Sequence, residues 1–223
     1  MNNEIKHDGK DLPMDARAAV LDEPISYENS PDYELAIACQ SGDRKAFQRL
    51  VRQYQEKVRG LVYSILSDPD TMDDLVQEIF IKVYTSINRF EHRSNLGTWI
   101  YRIAVNHCRD EIRRRRVRRF FSMEKMELDP MEMSPTADKA LLKKERIELV
   151  RWGLSKVSEK HRTIIVLRDF EDMSYEQIAE VLNLELGTVK SRLNRARLAL
   201  KDVISPFWHQ ESLNDAEHEN ESM

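Results

Sequence analysis

Only six glycines and two cysteines occur in the 223 residues of this chain, and both shortages exclude chemistry. No glycine-rich run is present to cradle a phosphate. Cys39 and Cys108 are far apart and lack the paired spacing of a zinc site or a disulfide framework. His, Asp and Glu form no ligand-spaced set either, and no helix carries a paired nucleophile and base. No catalytic residue, metal, cofactor or small-molecule substrate is therefore expected, and the chain is read as a non-enzyme. No stretch approaches the roughly 18 uninterrupted apolar residues of a membrane helix, and the N-terminus, MNNEIKHDGKDLPMD, has no apolar core. Neither a signal peptide nor membrane insertion is expected, which places the chain in the cytoplasm. Strand-like alternation and internal repeats are also missing.

What remains is a chain that is 41% hydrophobic and 33% charged, the balance of a helix-rich globular protein. Its length suits two small helical domains. The formal charge of −4 hides a segregation along the chain. Residues 1–35 carry nine acidic and three basic side chains, residues 123–138 five and one, and residues 206–223 five and none. Between them, residues 99–119 hold eight Arg against Asp110 and Glu111, and residues 187–201 hold five cations and no acid. Two separate polyanion contacts are implied.

The organisation follows from helical periodicity. Residues 1–31 are polar and acidic with no sustained period, and are expected to be a mobile extension. A short helix over Tyr33–Gln40 stops at Ser41-Gly42-Asp43. Phe47, Leu50, Val51, Tyr54, Val58, Leu61, Val62 and Ile65 then recur at helical spacing. A helix running to about Phe90 follows, with Val76, Phe80, Val83, Ile87 and Phe90 as its core stripe. Another spans about Leu96–Val117, after the loop Glu91–Asn95. These helices make a first domain over 32–119. Residues 120–137, with two prolines and mostly acids, read as a flexible linker. A second domain over 138–205 has helices at about 138–153, 159–170, 174–182 and 186–203, and 206–223 reads as an acidic, disordered tail. The fold class is all-α, two small helical domains joined by the linker.

The segment SYEQIAEVLNLELGTVKSRLNRARL at 174–198 has the spacing of a helix-turn-helix. Ile178 and Leu182 face inward, Ala179 permits close approach, Asn183 suits a left-handed turn and Leu184 plugs the corner. On the next helix Val189, Leu193, Ala196 and Leu200 form the buried arc. The opposite arc, Gly187, Lys190, Ser191, Asn194 and Arg195, suits base edges in a major groove, while Thr188, Arg192 and Arg197 on the flanks suit phosphates. The alternative is a solvated basic helix on a three-helix core.

DDLVQEIFIKVY, TWIYRIAVNHCRDEIRRR and the helix-turn-helix occur in this order with a linker between the second and third. Over roughly 33–203 the chain resembles the extracytoplasmic-function subfamily of RNA polymerase sigma factors. That resemblance implies transcription initiation with core RNA polymerase (its clamp helices and flap) and promoter DNA as partners, together with a cognate anti-sigma factor. The first domain would bind the clamp and open the minus-10 element, and the second would read minus-35. The clamp positions fall on Asp74, Gln77, Glu78 and Phe80, with Asp73 and Tyr84 nearby. Acids in a first helical turn also complement the helix dipole, so this cluster has a structural reading too. The strand-opening positions fall on Trp99, Arg102, Asn106, Arg109 and Arg113, an aromatic and arginine helix suited to single strands. Trp99 equally suits a core. The minus-35 positions are Thr188, Lys190, Ser191, Arg192, Asn194, Arg195 and Arg197. A plain helix-turn-helix regulator is the rival reading, and it would bind duplex DNA without polymerase.

Overall fold

The computed structural model describes residues 30–66, 68, 71–122 and 139–220, with side chains described for 30–66, 68, 71–118 and 146–207. Residues 1–29 of the expected extension, 123–137 of the expected linker and residue 138 lie outside them. The described residues form α-helices and short helical turns, with no strand among them. They are α1 (Pro31–Gln40), α2 (Arg44–Leu66), α3 (Met72–Ser86), α4 (Leu96–Ser122), α5 (Lys139–Lys156), α6 (Glu159–Ile165), α7 (Tyr175–Leu182) and α8 (Leu186–Asn220).

Local chemistry sets most helix ends. Gly42 at φ 85° closes α1, and Asp43 Oδ1 accepts from the Lys45 amide at 2.8 Å to start α2. Asn95 Oδ1 accepts from the Thr98 amide at 2.7 Å at the start of α4. Ser158 caps α6, and Ser174 and Gln177 form a reciprocal capping box on α7. Asn183 closes α7 at φ 51°, ψ 59°, the left-handed conformation that short polar side chains tolerate. Two segments depart from the sequence reading. The chain after α3 tightens into a 3-10 turn at Ile87–Arg89, and α6 widens into a π turn over Val166–Phe170. The expected helix end near 203 is also corrected, because α8 continues through Pro206 to Asn220. Proline there removes one backbone donor, while Glu, Gln, Ala and Leu beyond it favour helix.

The N-terminal unit packs α1 to α4 around Leu50, Val58, Leu61, Ile65, Ile79, Val83, Leu96, Ile100 and Val105, all fully or nearly fully buried. The C-terminal unit packs α5 to α8 around Leu154, Ile164, Ile165, Leu167, Ile178, Val189 and Leu193. A Cβ on Gly153 would collide with Ile204 Cγ2, so glycine sets how closely α5 approaches α8. The two units share one apolar cluster, with α4 against α7 and α2 against α6. Arg162 reinforces that contact, donating to the Ile65 carbonyl at 2.8 Å and to the Ser155 carbonyl at 2.8 Å. It thus places one guanidinium on the C-terminal carbonyls of α2 and α5. Burial pushes its guanidinium below its ordinary range, and Glu159 opposes that shift.

Candidate nucleic-acid and polymerase interface

Helix α4 sorts its arginines between two jobs. Glu111 is only 8% exposed, and a buried carboxylate needs partners. It receives Arg118 at 2.7 Å, Arg115 at 2.9 Å and Arg114 at 3.1 Å. Arg115 also pairs with Asp68 at 2.8 Å and reaches Thr71, tying α4 to the turn before α3. Three arginines are thereby committed to structure. Of the remaining arginines, those at positions 102, 109, 113 and 116 form with exposed Asn106 one stripe at helical spacing. Arg102, Asn106, Arg113 and Arg116 are exposed and Arg109 is half-buried, so the strand-opening positions do share one accessible face. Trp99 does not. It is 7% exposed and packs on Phe90 with ring centroids 5.2 Å apart, so the structure favours its core reading.

Helix α3 turns Leu75, Val76, Ile79, Phe80 and Val83 inward and leaves Asp73, Asp74, Gln77, Glu78 and Tyr84 outside. Phe80 is therefore a support for that helix and presents no surface. Asp73 pairs with Arg59 at 2.8 Å, and Glu78 lies 3.8 Å from Arg114. Exposed Ile81 completes the face, and the sequence reading missed it. Its signal was an apolar residue outside the core stripe, seven positions after Asp74. Tyr84 stands beside it, 56% exposed with its ring edge against Phe47. The outer face of α3 thus mixes carboxylates and an amide with two bare apolar groups, a composition suited to a protein partner.

Helix α8 buries Val189, Leu193 and Ala196 and exposes Gly187, Lys190, Ser191, Asn194 and Arg195 as its pattern requires. Thr188 and Arg192 are half-buried on its flanks. Lys190 sits over the Tyr175 ring at 5.9 Å, and Arg195 Nε donates to the Ser191 carbonyl at 3.2 Å along its own helix. Arg197 is held differently, by two hydrogen bonds from its guanidinium to the Asp169 carboxylate, which push its pKa above the ordinary value. A cation clasped by a carboxylate must exchange that partner before it neutralises a phosphate.

Family models for Sigma-70 region 2 and Sigma-70 region 4 match residues 50–118 and 153–200, the segments that carry these three faces. The RNA polymerase sigma-H factor of Pseudomonas aeruginosa is 34% identical over 190 residues, 80% of this chain and 96% of that protein. The ECF RNA polymerase sigma-E factor of Haemophilus influenzae is similarly related, 37% identical over 81% of this chain and 98% of its own length. This chain is an extracytoplasmic-function sigma factor. Among solved structures, the sigma factor RpoE of Bartonella quintana, in complex with the anti-sigma factor NepR, matches with a TM-score of 0.58 at 25% identity. That match covers 72% of this chain and 98% of RpoE. As a sigma factor the chain directs promoter-specific transcription initiation, and its family consists of initiation factors rather than enzymes.

No helix among the described residues is long and apolar enough to cross a membrane, and none of their side chains form a group able to hold a metal ion. Both cysteines are buried thiols, and burial pushes Cys108 up to about 12, far from thiolate reactivity.

Proposed function

We propose that this sigma factor divides its work among the three faces. The outer face of α3, with Asp74, Gln77, Glu78, Ile81 and Tyr84, docks on the clamp of core polymerase, with Asp73 and Phe80 shaping and supporting it. The α4 stripe of Arg102, Asn106, Arg109 and Arg113 holds the separated minus-10 strand. The first turns of α8 read minus-35 through Lys190, Ser191, Asn194 and Arg195, with Thr188, Arg192 and Arg197 toward phosphates. The domain limits are those of the sequence reading, region 2 over 32–119 and region 4 over 138–205. The sigma factor works in the cytoplasm and performs no chemistry of its own. The anti-sigma partner of the similar Bartonella protein supports a protein regulator of that kind here.

One observation carries this reading. Two cationic helix faces, the α4 stripe and the outward arc of α8, lie one within each family-matched segment, while an acidic and apolar face stands on α3. A regulator acting alone on duplex DNA has no use for that third face. The direct test is capture by core polymerase. Replacing Asp74, Gln77 and Glu78 together with Ala should abolish association while circular dichroism stays unchanged, since all three are exposed. Undiminished capture of the folded triple variant contradicts the assignment of α3.

A further inference from the structure

The arginine stripe of α4 does not end at the residues assigned to the minus-10 strand. Arg109, Arg113 and Arg116 form the wall of a cavity of about 610 Å³ between the two units, and Lys160 of α6 and Arg192 of α8 face them across it. Five cations thus converge on a space whose lining includes one acid, Glu159. That acid pairs with Arg109, at 3.6 Å, and Arg113 reaches Asp110 at 3.6 Å outside the lining. Arg116, Lys160 and Arg192 make no ion pair with the described residues. Like charges held together by apolar packing between helices repel one another, and a concave wall focuses their field.

We propose that this cavity is a binding site for an oligophosphate anion, a linear chain of three or more phosphates, free or carried on a nucleoside. Size and reach select the ligand. The volume lies in the range of small-molecule sites. From Arg109 to Arg116 the helix rises about 10 Å, more than one phosphate can touch and within the reach of a phosphate chain. Guanidinium groups bind phosphate oxygens through paired donors, and Lys160 supplies a point charge on the opposite wall. Arg116 and Lys160 lie outside the promoter contacts proposed above, so the site goes beyond that reading and does not rest on it. Its walls come from both units, so a bound oligophosphate holds them together. Arg109, Arg113 and Arg192 are shared with the DNA faces, so it also competes with promoter DNA.

The test is calorimetric titration of the full chain with sodium tripolyphosphate at about 0.15 M ionic strength, where weak surface attraction is screened. One saturable site is expected. The pair Arg116→Ala and Lys160→Ala should weaken it at least tenfold, and each single change at least threefold. Arg52→Ala, an exposed cation on α2 outside the cavity, should leave it unchanged. Both variant positions are exposed, and an unchanged melting curve verifies the fold. A nucleoside triphosphate titrated in parallel distinguishes the source. Tighter binding assigns the chain on a nucleoside, and equal or weaker binding assigns the free chain. Absence of saturation, or equal weakening by Arg52→Ala, overturns the proposal. No polymerase is present, so failure here is distinct from failure of the promoter assignment.

Discussion

The hydroxyl of Tyr101 donates a 2.5 Å hydrogen bond to the Glu171 carboxylate, joining α4 of the N-terminal unit to the chain just after α6 in the C-terminal unit. Burial is the largest influence on Glu171 and raises its carboxyl above the ordinary 4.5, against the opposing effect of the Tyr101 bond and Lys57. An acid with a raised folded-state pKa binds its proton more tightly when folded. Its stabilising contribution is complete below 4.5 and is lost as pH climbs through the folded value. At neutral pH the charged group therefore weakens the contact that it makes.

Glu171→Gln keeps an acceptor for Tyr101 and removes the buried charge. The variant should melt at a higher temperature than the parent near neutral pH, and the difference should shrink toward about pH 4, where the parent carboxyl is protonated. Thermal unfolding at the two pH values checks this. A lower melting temperature at neutral pH would mean that the charge-assisted hydrogen bond outweighs burial.

Trp99 gives a second expectation. It packs on Phe90 and is 7% exposed, so Trp99→Ala should cost about 3–5 kcal/mol of stability, as large aromatic deletions in cores do. Transcription should then fall equally on duplex promoters and on templates opened in advance at minus-10. A stable variant that fails only on closed duplex templates would return Trp99 to the DNA.

The recognition helix separates base reading from charge. Arg195 is exposed on the outward arc, and Arg195→Ala should cost about 1–3 kcal/mol at a matched minus-35 site and relax preference at one base pair. Arg197 is engaged by Asp169, so Asp169→Ala should free it and steepen the salt dependence of DNA binding by about one unit without changing preference. Selection of a minus-35 library with polymerase carrying each variant reads both effects. An unchanged base preference with Arg195→Ala would mean that α8 lies in the groove with a different rotation.

Local signals in the sequence were strong where a residue's own chemistry decides its conformation. Asn183 in the left-handed turn, Gly42 after α1, and Val189, Leu193 and Ala196 of the buried arc of α8 stand where pattern places them, while Leu200 of that arc is half-buried. The arrangement of the two units was not legible, because Arg162 and Tyr101 find partners 97 and 70 residues away. No local period encodes such pairs. Glu111 shows the same limit inside one helix. In sequence it is one of two acids in a basic run, yet its burial commits Arg114, Arg115 and Arg118 to structure and leaves Arg102, Arg113 and Arg116 exposed beside them. Gly153 is a further case, since nothing beside it in the chain announces Ile204. In α8 the end expected near 203, with an acidic tail after it, gave way to a helix that continues through Pro206, because the residues beyond the proline favour helix.

Runoff transcription with core polymerase measures promoter-specific initiation itself. Purified chain would be added to core polymerase on a library of genomic fragments from the same cell. Discrete transcripts whose start sites share two upstream blocks, at minus-35 and minus-10, are predicted, and they should vanish without the chain and with the combined Asp74, Gln77 and Glu78 variant. Transcripts independent of the chain, or specific duplex binding by the chain that polymerase neither requires nor improves, would contradict the account.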